Sequence, residues 1–368
     1  MRKVLHLRAS GQLLGAERVV LELAKYLPKF SYQPVIGIPV EEGQPQPEFA
    51  AAAEALGYEV ALFPIKGAFD MRALKTIRSF VADNNIELIH SHGYREDFYA
   101  SFAPKKVKRL ATNHLWKRTD LKLKFYAALD ALLLKRFDKI IAVSKPVRDD
   151  MLKQGIGADK ISVVANGIDV SSYKKAVDKN TIREQLNIPK DSTVLGTLSS
   201  LSIEKGINFA IQALAKIHKN NPNIHLLIVG DGPEKAPLQL LISQLKLENA
   251  VTFAGRRSDI NNILAAIDIF LLPSLIEGLP MALLEAMAAE KAVIASTVGD
   301  VETVITADSG ILVAPRNVDQ LADAIEKLAA DHSVIEHYGK NARSRISSHF
   351  SSLNMTQATA ELYDQVLS

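Results

Sequence analysis

Short runs of Val, Ile and Leu recur along the chain, separated by longer stretches of helical periodicity, and the alternation restarts once after a polar interruption. Short apolar runs flanked by helix-length segments are what parallel βαβ units require, because their strands are buried on both faces. The first half places strands at 4–7, 34–38, 59–62, 88–90, 109–112, 140–143 and 161–164, with helices such as 16–27, 73–84, 125–136 and 145–154 between them. The polar interruption, residues 171–191, carries Lys174, Lys175, Asp178, Lys179 and Asn180. Beyond it the strands fall at 194–198, 225–229, 251–254, 269–272, 292–295 and 310–313. The helices there are 208–218, 234–245, 260–266, 281–289 and 318–330, followed by two more helical stretches. This predicts an α/β chain of two doubly wound, Rossmann-like domains facing each other across a cleft, with ligands beyond the carboxyl ends of the strands. A length of 368 residues is enough for two cores. The expected boundaries are 1–172 for the first domain, 173–190 for a linker, 191–346 for the second domain, and 347–368 for a terminal helix that packs back on the first.

Several classes of protein are disfavoured at once. The absence of cysteine excludes disulfides, thiolate metal sites and cysteine nucleophiles. No stretch approaches the roughly 20 apolar residues of a membrane span, and the first residues read as a strand and not as a secretory signal. A cytoplasmic location is compatible with both. The strand at 4–7 is followed by Arg8-Ala9-Ser10-Gly11, which lacks the Gly-x-Gly-x-x-Gly of a dehydrogenase. Charge is divided unevenly: residues 1–190 hold 31 Lys and Arg against 21 Asp and Glu, whereas residues 191–368 hold 13 against 20. Within 95–148 the imbalance is 14 basic to 5 acidic residues.

The most informative string is Ser274-Leu275-Ile276-Glu277-Gly278-Leu279-Pro280-Met281-Ala282-Leu283-Leu284-Glu285-Ala286-Met287-Ala288. A buried strand leads into it. Pro280 suits the first turn of a helix, and Gly278 lets backbone approach a ligand. The free N–H groups of that turn suit phosphate, and two carboxylates flanking it suit the vicinal hydroxyls of sugars.

The string resembles the Glu-x7-Glu signature, followed by Ala-Met-Ala, of the family 4 retaining glycosyltransferases of the GT-B fold. Other segments are similar in the same order. These are Gly15-Ala16-Glu17-Arg18, His90-Ser91-His92-Gly93, Thr112-Asn113-His114, Asn166-Gly167-Ile168-Asp169, Glu204-Lys205-Gly206 and Val229-Gly230-Asp231-Gly232-Pro233. The resemblance implies an acceptor-binding first domain and a nucleotide-sugar-binding second domain. It implies that Glu285 holds the ribose hydroxyls and Glu277 contacts the transferred sugar. Lys205 would neutralise the diphosphate with backbone groups of Gly278, Leu279, Pro280 and Met281, and Arg256 would lie near the nucleobase. On the acceptor side it points to Gly15, Ala16, Glu17 and His92, with His114 as the histidine near the reacting centre. Where the family commonly has arginine five residues before the lysine, this chain has Ser200, and a hydroxyl cannot replace a guanidinium that grips phosphate by two bonds. Arg256 or Arg257 is expected to compensate.

The expected function is transfer of a sugar from a UDP- or GDP-linked donor to a hydroxyl of a glycan or glycolipid, in envelope polysaccharide or lipopolysaccharide synthesis. No cofactor and no metal are expected, since Asp-x-Asp is absent and His90 and His92 lack further ligands in a fixed motif. A nucleotide-sugar 2-epimerase-like enzyme and a non-catalytic sugar-nucleotide binding protein stay open beside it. The basic patch reads as a solvated face, as a site for an anionic acceptor, or as a peripheral contact with an anionic membrane. Trp116 with Lys117 and Arg118, then Leu121, Leu123 and Phe125, has the character of an interfacial segment. No nucleic-acid recognition motif accompanies the charge.

Overall fold

The computed structural model describes residues 1–9, 11–67, 69–116, 121–173 and 178–368. The chain divides into two compact units, Met1–Gly167 with Ser352–Ser368, and Ile168–Ser351. The expected boundaries at 172/173 and 346/347 thus fall a few residues from the divisions found.

The first unit is a seven-stranded, all-parallel sheet. Its strands are β1 (Arg2–Leu7), β2 (Tyr32–Glu41), β3 (Glu59–Ile65), β4 (Ile86–Ser91), β5 (Lys108–Asn113), β6 (Lys139–Ala142) and β7 (Ile161–Val163), in the order β3-β2-β1-β4-β5-β6-β7. The order reverses between β1 and β4, where His6 lies opposite His90 and Leu7 opposite Ser91. The helix Met71–Asp83 starts where the Asp70 side chain accepts the Arg72 N–H, and Lys145–Lys153 starts where Ser144 accepts that of Val147. The helix Ser352–Leu367 completes this unit, buries Tyr363 and brings Asp364 Oδ1 to 2.5 Å from the Tyr32 hydroxyl.

The second unit is a six-stranded parallel sheet. It comprises β8 (Thr193–Leu198), β9 (Ile224–Val229), β10 (Val251–Gly255), β11 (Ile269–Leu272), β12 (Ala292–Ser296) and β13 (Gly310–Val313), in the order β10-β9-β8-β11-β12-β13. The reversal lies between β8 and β11. Strands β8, β9, β11 and β12 are buried along their whole length, which explains their unbroken apolar runs. One side of the sheet packs against helices Ile207–Ile217 and Val318–Ala329 through Ile211, Leu214, Leu321 and Ile325.

The stretch expected to be a linker is part of this unit from residue 178 onward. Its helix Lys179–Gln185 buries Arg183, which donates to the carbonyls of Ala266, Lys190 and Ser192 and pairs with Asp268 at 2.6 Å. A buried guanidinium is tolerated because its N–H groups have acceptors and its charge has a counter-ion. Lys174 and Lys175 lie outside the described residues. No helix among the described residues is long and apolar enough to cross a membrane.

Candidate active site

In the second unit the loops that follow β8, β9 and β11 are locked together by backbone. Leu201 N–H donates to Asp231 O at 3.0 Å, and Leu275 N–H donates to Glu204 O at 2.7 Å. Two glycines permit this approach. Gly230 has φ +137° and a Cβ there would lie 1.8 Å from Ser199 O; Gly206 has φ +61° and a Cβ there would lie 2.1 Å from Pro273 O. The turn Ile203–Lys205 therefore directs Lys205 toward the signature loop, and its ammonium donates to Glu277 Oε1 at 2.7 Å. Ser274 Oγ donates to the same oxygen, also at 2.7 Å. Lys205 and Glu277, expected to act on different parts of the donor, form one ion pair, and Ser274 joins it.

Gly278, Leu279, Pro280 and Met281 are all buried, with Pro280 as the residue that caps the helix Met281–Ala288. Asp300 N–H donates to Gly278 O at 3.0 Å. Glu285, in the second turn of that helix, is buried, and its Oε1 accepts the Tyr173 hydroxyl at 3.2 Å. Ser200 and Arg256 are exposed at the ends of β8 and β10. Arg257, the alternative compensating cation, is held by Asp259 through Nε at 2.8 Å and Nη2 at 2.7 Å. Any phosphate contact by Arg257 would first have to break that two-point pair.

The reversal point of the first unit is built from histidines. His6 Nδ1 lies 3.2 Å from His92 Nε2, and the rings of His90 and His92 are tilted against each other with centroids 4.1 Å apart. His90 meets the Tyr363 hydroxyl and Thr112 Oγ1, each at 2.6 Å. His114, half-buried just past β5, has its ring 5.8 Å from that of His92. Burial holds all four imidazoles below their ordinary range, His6 and His114 down to about 3, and neighbouring imidazoles add to the effect at His90 and His92. They are neutral near pH 7. His6, His90 and His92 bring ring nitrogens within 4.8 Å of one another, a spacing within reach of a metal ion. Yet both nitrogens of His90 are already hydrogen-bonded, and His6 and His92 are bonded to each other. These bonds join neutral imidazoles. His6 Nε2, His92 Nδ1 and His114 Nε2 are buried without a hydrogen-bond partner.

Gly15 and Ala16 open the helix Gly15–Tyr26. Glu17, expected beside an acceptor, is fully buried: Oε1 takes Arg8 Nε at 2.6 Å and Oε2 takes the Leu14 N–H at 2.9 Å. Its oxygens hold the fold of the loop. Arg8 also donates to His92 O, which ties that loop to the histidines. Trp116, expected in an interfacial segment, is instead buried, with its indole N–H on Asp130 Oδ2 at 2.7 Å, so it is no interfacial anchor. Lys117 and Arg118 lie outside the described residues. Burial raises the carboxyls of Asp97 and Asp130, the latter to about 6; repulsion from Asp130 adds to the effect at Asp97 and repulsion from Glu96 adds to it at Asp130, and Asp97 accepts Ser91 Oγ.

Two all-parallel, doubly wound sheets, each with polar side chains gathered where its strand order reverses, define the GT-B class of fold. The family model described as Glycosyltransferase Family 4 matches residues 14–172, and that described as Glycosyl transferases group 1 matches residues 178–345. The chain belongs to these glycosyltransferases. An Escherichia coli relative, UDP-Gal:alpha-D-GlcNAc-diphosphoundecaprenol alpha-1,3-galactosyltransferase, is 25% identical over 98% of this chain and 96% of its own length. The N-acetyl-alpha-D-glucosaminyl L-malate synthase of Bacillus anthracis is 26% identical over 84% of this chain and 82% of its own. Among solved structures, Anabaena HepE in complex with UDP-glucose shares the fold with a TM-score of 0.88, at 24% identity, over 99% of this chain and 100% of that one.

Proposed function

We propose that this glycosyltransferase moves a hexose from a UDP- or GDP-linked donor to a hydroxyl of a glycan or glycolipid acceptor in envelope polysaccharide synthesis, with retention and without a metal ion. The observation that carries the proposal is the Lys205–Glu277 ion pair at 2.7 Å, on a loop whose helix holds the buried Glu285. Glu285 takes the ribose hydroxyls, Glu277 the sugar, and Lys205 the diphosphate. The E. coli relative's name gives a UDP-linked donor and a lipid diphosphate-linked acceptor, and the Anabaena structure contains UDP-glucose, which supports this class of substrates.

Glu277 Oε1 accepts both an ammonium and a hydroxyl, which stabilises the carboxylate and makes it a poor nucleophile for double displacement. In the direct route the acceptor oxygen bonds to the anomeric carbon on the face from which the diphosphate leaves. The carbon–oxygen bond to phosphate breaks with its electron pair, and the acceptor proton passes to the departing phosphate oxygen. Lys205 stabilises the charge that develops on the leaving group, in the place a divalent ion would otherwise fill. Acceptor recognition is assigned to the first unit, at Gly15, Ala16 and His92, with the His114 ring 5.8 Å from that of His92. Peripheral contact with an anionic membrane belongs to the same proposal and rests on exposed Leu121 and Phe125 interleaved with Lys122 and Lys124.

Calorimetry with UDP and GDP tests the donor assignment. Glu285→Ala is expected to weaken the binding nucleotide by about 1.5–3 kcal/mol, and unchanged affinity would refute the assignment. Product analysis separates transfer from epimerisation and from binding alone.

A further inference from the structure

Ser274 opens the signature string, and the backbone on either side of it is fixed without its hydroxyl. The carbonyl of Pro273 lies against Gly206, where a Cβ would come within 2.1 Å of its oxygen. Leu275 N–H donates to Glu204 O at 2.7 Å. Gly299, at φ +59°, packs on the carbonyls of Glu277 and Gly278, where a Cβ would lie 2.3 and 2.6 Å from their oxygens. These neighbours set the place of Ser274, which is 1% exposed, so its hydroxyl is not needed to hold the loop. It serves Glu277 instead. The Ser274 hydroxyl and the Lys205 ammonium both donate to Glu277 Oε1, each at 2.7 Å, and among the described residues Oε2 makes no hydrogen bond. The two donors differ in freedom. Lys205 carries its three N–H groups on a flexible four-carbon stem and keeps 24% of its side chain exposed, whereas the serine hydroxyl sits on a single carbon inside the loop.

We propose that Ser274 is a positioning residue for donor binding, whose hydroxyl holds the Glu277 carboxylate in place for the transferred sugar while Lys205 turns to the diphosphate. This rests on the assignment of Glu277 to the sugar. The serine gives its one proton to Oε1, so the plane of the carboxylate stays set when the ammonium moves, and Oε2 is left for the sugar hydroxyls. Without the hydroxyl, Lys205 alone would hold Glu277. Its turn toward the diphosphate would then release the carboxylate about its last torsion, and the sugar would have to order it on binding.

The test compares UDP-glucose, UDP-galactose and GDP-mannose, each with its own nucleoside diphosphate, by calorimetry on the full chain in the parent, Ser274→Ala, Glu277→Ala and the double variant. Ser274→Ala is expected to weaken the nucleotide sugar roughly three- to tenfold while leaving the nucleoside diphosphate unchanged. Added to Glu277→Ala, the same change is expected to have no further effect, because a residue that acts through the carboxylate has nothing left to position. A merely structural serine would weaken both ligands alike or neither, or would keep its full effect without Glu277, and any of these results overturns the proposal. Glu277→Ala keeps the two failures apart. If it leaves the ratio of the two affinities as in the parent, or if the parent binds no nucleotide sugar of the set, the sugar assignment itself is wrong and the role of Ser274 falls with it. If Glu277→Ala shifts the ratio and Ser274→Ala does not, only the positioning role is lost.

Discussion

The two reversal points of this chain occupy the same place in their sheets and are filled in opposite ways. In the second unit, between β8 and β11, a carboxylate and an ammonium neutralise each other, and Lys205 keeps about a quarter of its side chain exposed. In the first, between β1 and β4, the groups are imidazoles that burial keeps uncharged. An ion pair near the surface can exchange partners with an incoming anion at modest cost, because the charge it needs is already in place. A buried neutral cluster can exchange hydrogen bonds but resists any charge. The second unit's reversal point thus carries paired charge, and the first unit's carries neutral hydrogen-bonding groups.

The contrast is broken most severely by removing the charge of the second unit. Lys205→Ala is expected to lower turnover by a factor on the order of 10²–10³, as for loss of one preorganised donor elsewhere. Steady-state rates with the active donor check this, and a loss below tenfold would show that another cation serves the leaving group.

Acid should find the first unit first. Its histidines titrate below the ordinary 6.5, so between about pH 6.5 and about pH 3 the unfolded chain binds more protons, and stability falls as pH falls through that window. At pH 5 a histidine lowered as far as His6 contributes a loss of roughly 2 kcal/mol. Asp97 and Asp130, with raised carboxyls, offset part of it. Among the described residues of the second unit, His225 alone is shifted in this way, to about 4. Amide exchange at pH 7 and pH 5 should show protection in β1 and β4 falling more than in β8 and β11; equal losses would erase the distinction.

The smallest effect sharpens the comparison inside the first unit. Asp130 is raised from 3.8 to about 6, so its ionisation opposes folding above that value and the opposition vanishes below the ordinary one. Asp130→Asn keeps an acceptor for the Trp116 indole. Its stability relative to the parent should rise by about 1 kcal/mol between pH 5 and pH 8, read by urea unfolding at both, and a pH-independent difference would place the charge elsewhere.

The fold class was legible in the sequence because strands buried on both faces leave unbroken apolar runs, as at β8 and β9. The loops around Lys205 and Glu277 were legible because close approach of backbone leaves glycines at fixed offsets. What local pattern cannot carry is register between distant strands. His6 meets His90 only because β1 pairs with β4, a pairing 84 residues apart that no periodicity announces. Tyr173 escaped for the same reason: Glu285, which its hydroxyl meets, is 112 residues away. Trp116 misled because aromatic residues among lysines look alike whether they face lipid or a buried aspartate. The linker misled because composition recorded its polar residues and not the acceptors that surround Arg183.

The helix Ser352–Leu367 has a consequence for synthesis. Residues 168–351 are contiguous and emerge from a ribosome as a whole unit, whereas the unit begun at Met1 waits for that helix to supply Tyr363 to His90. Translation thus delivers the later unit complete before the earlier one. During that interval the face of β4 and β5 that the helix covers is bare, which makes the waiting intermediate the stage at which a chaperone has something to hold.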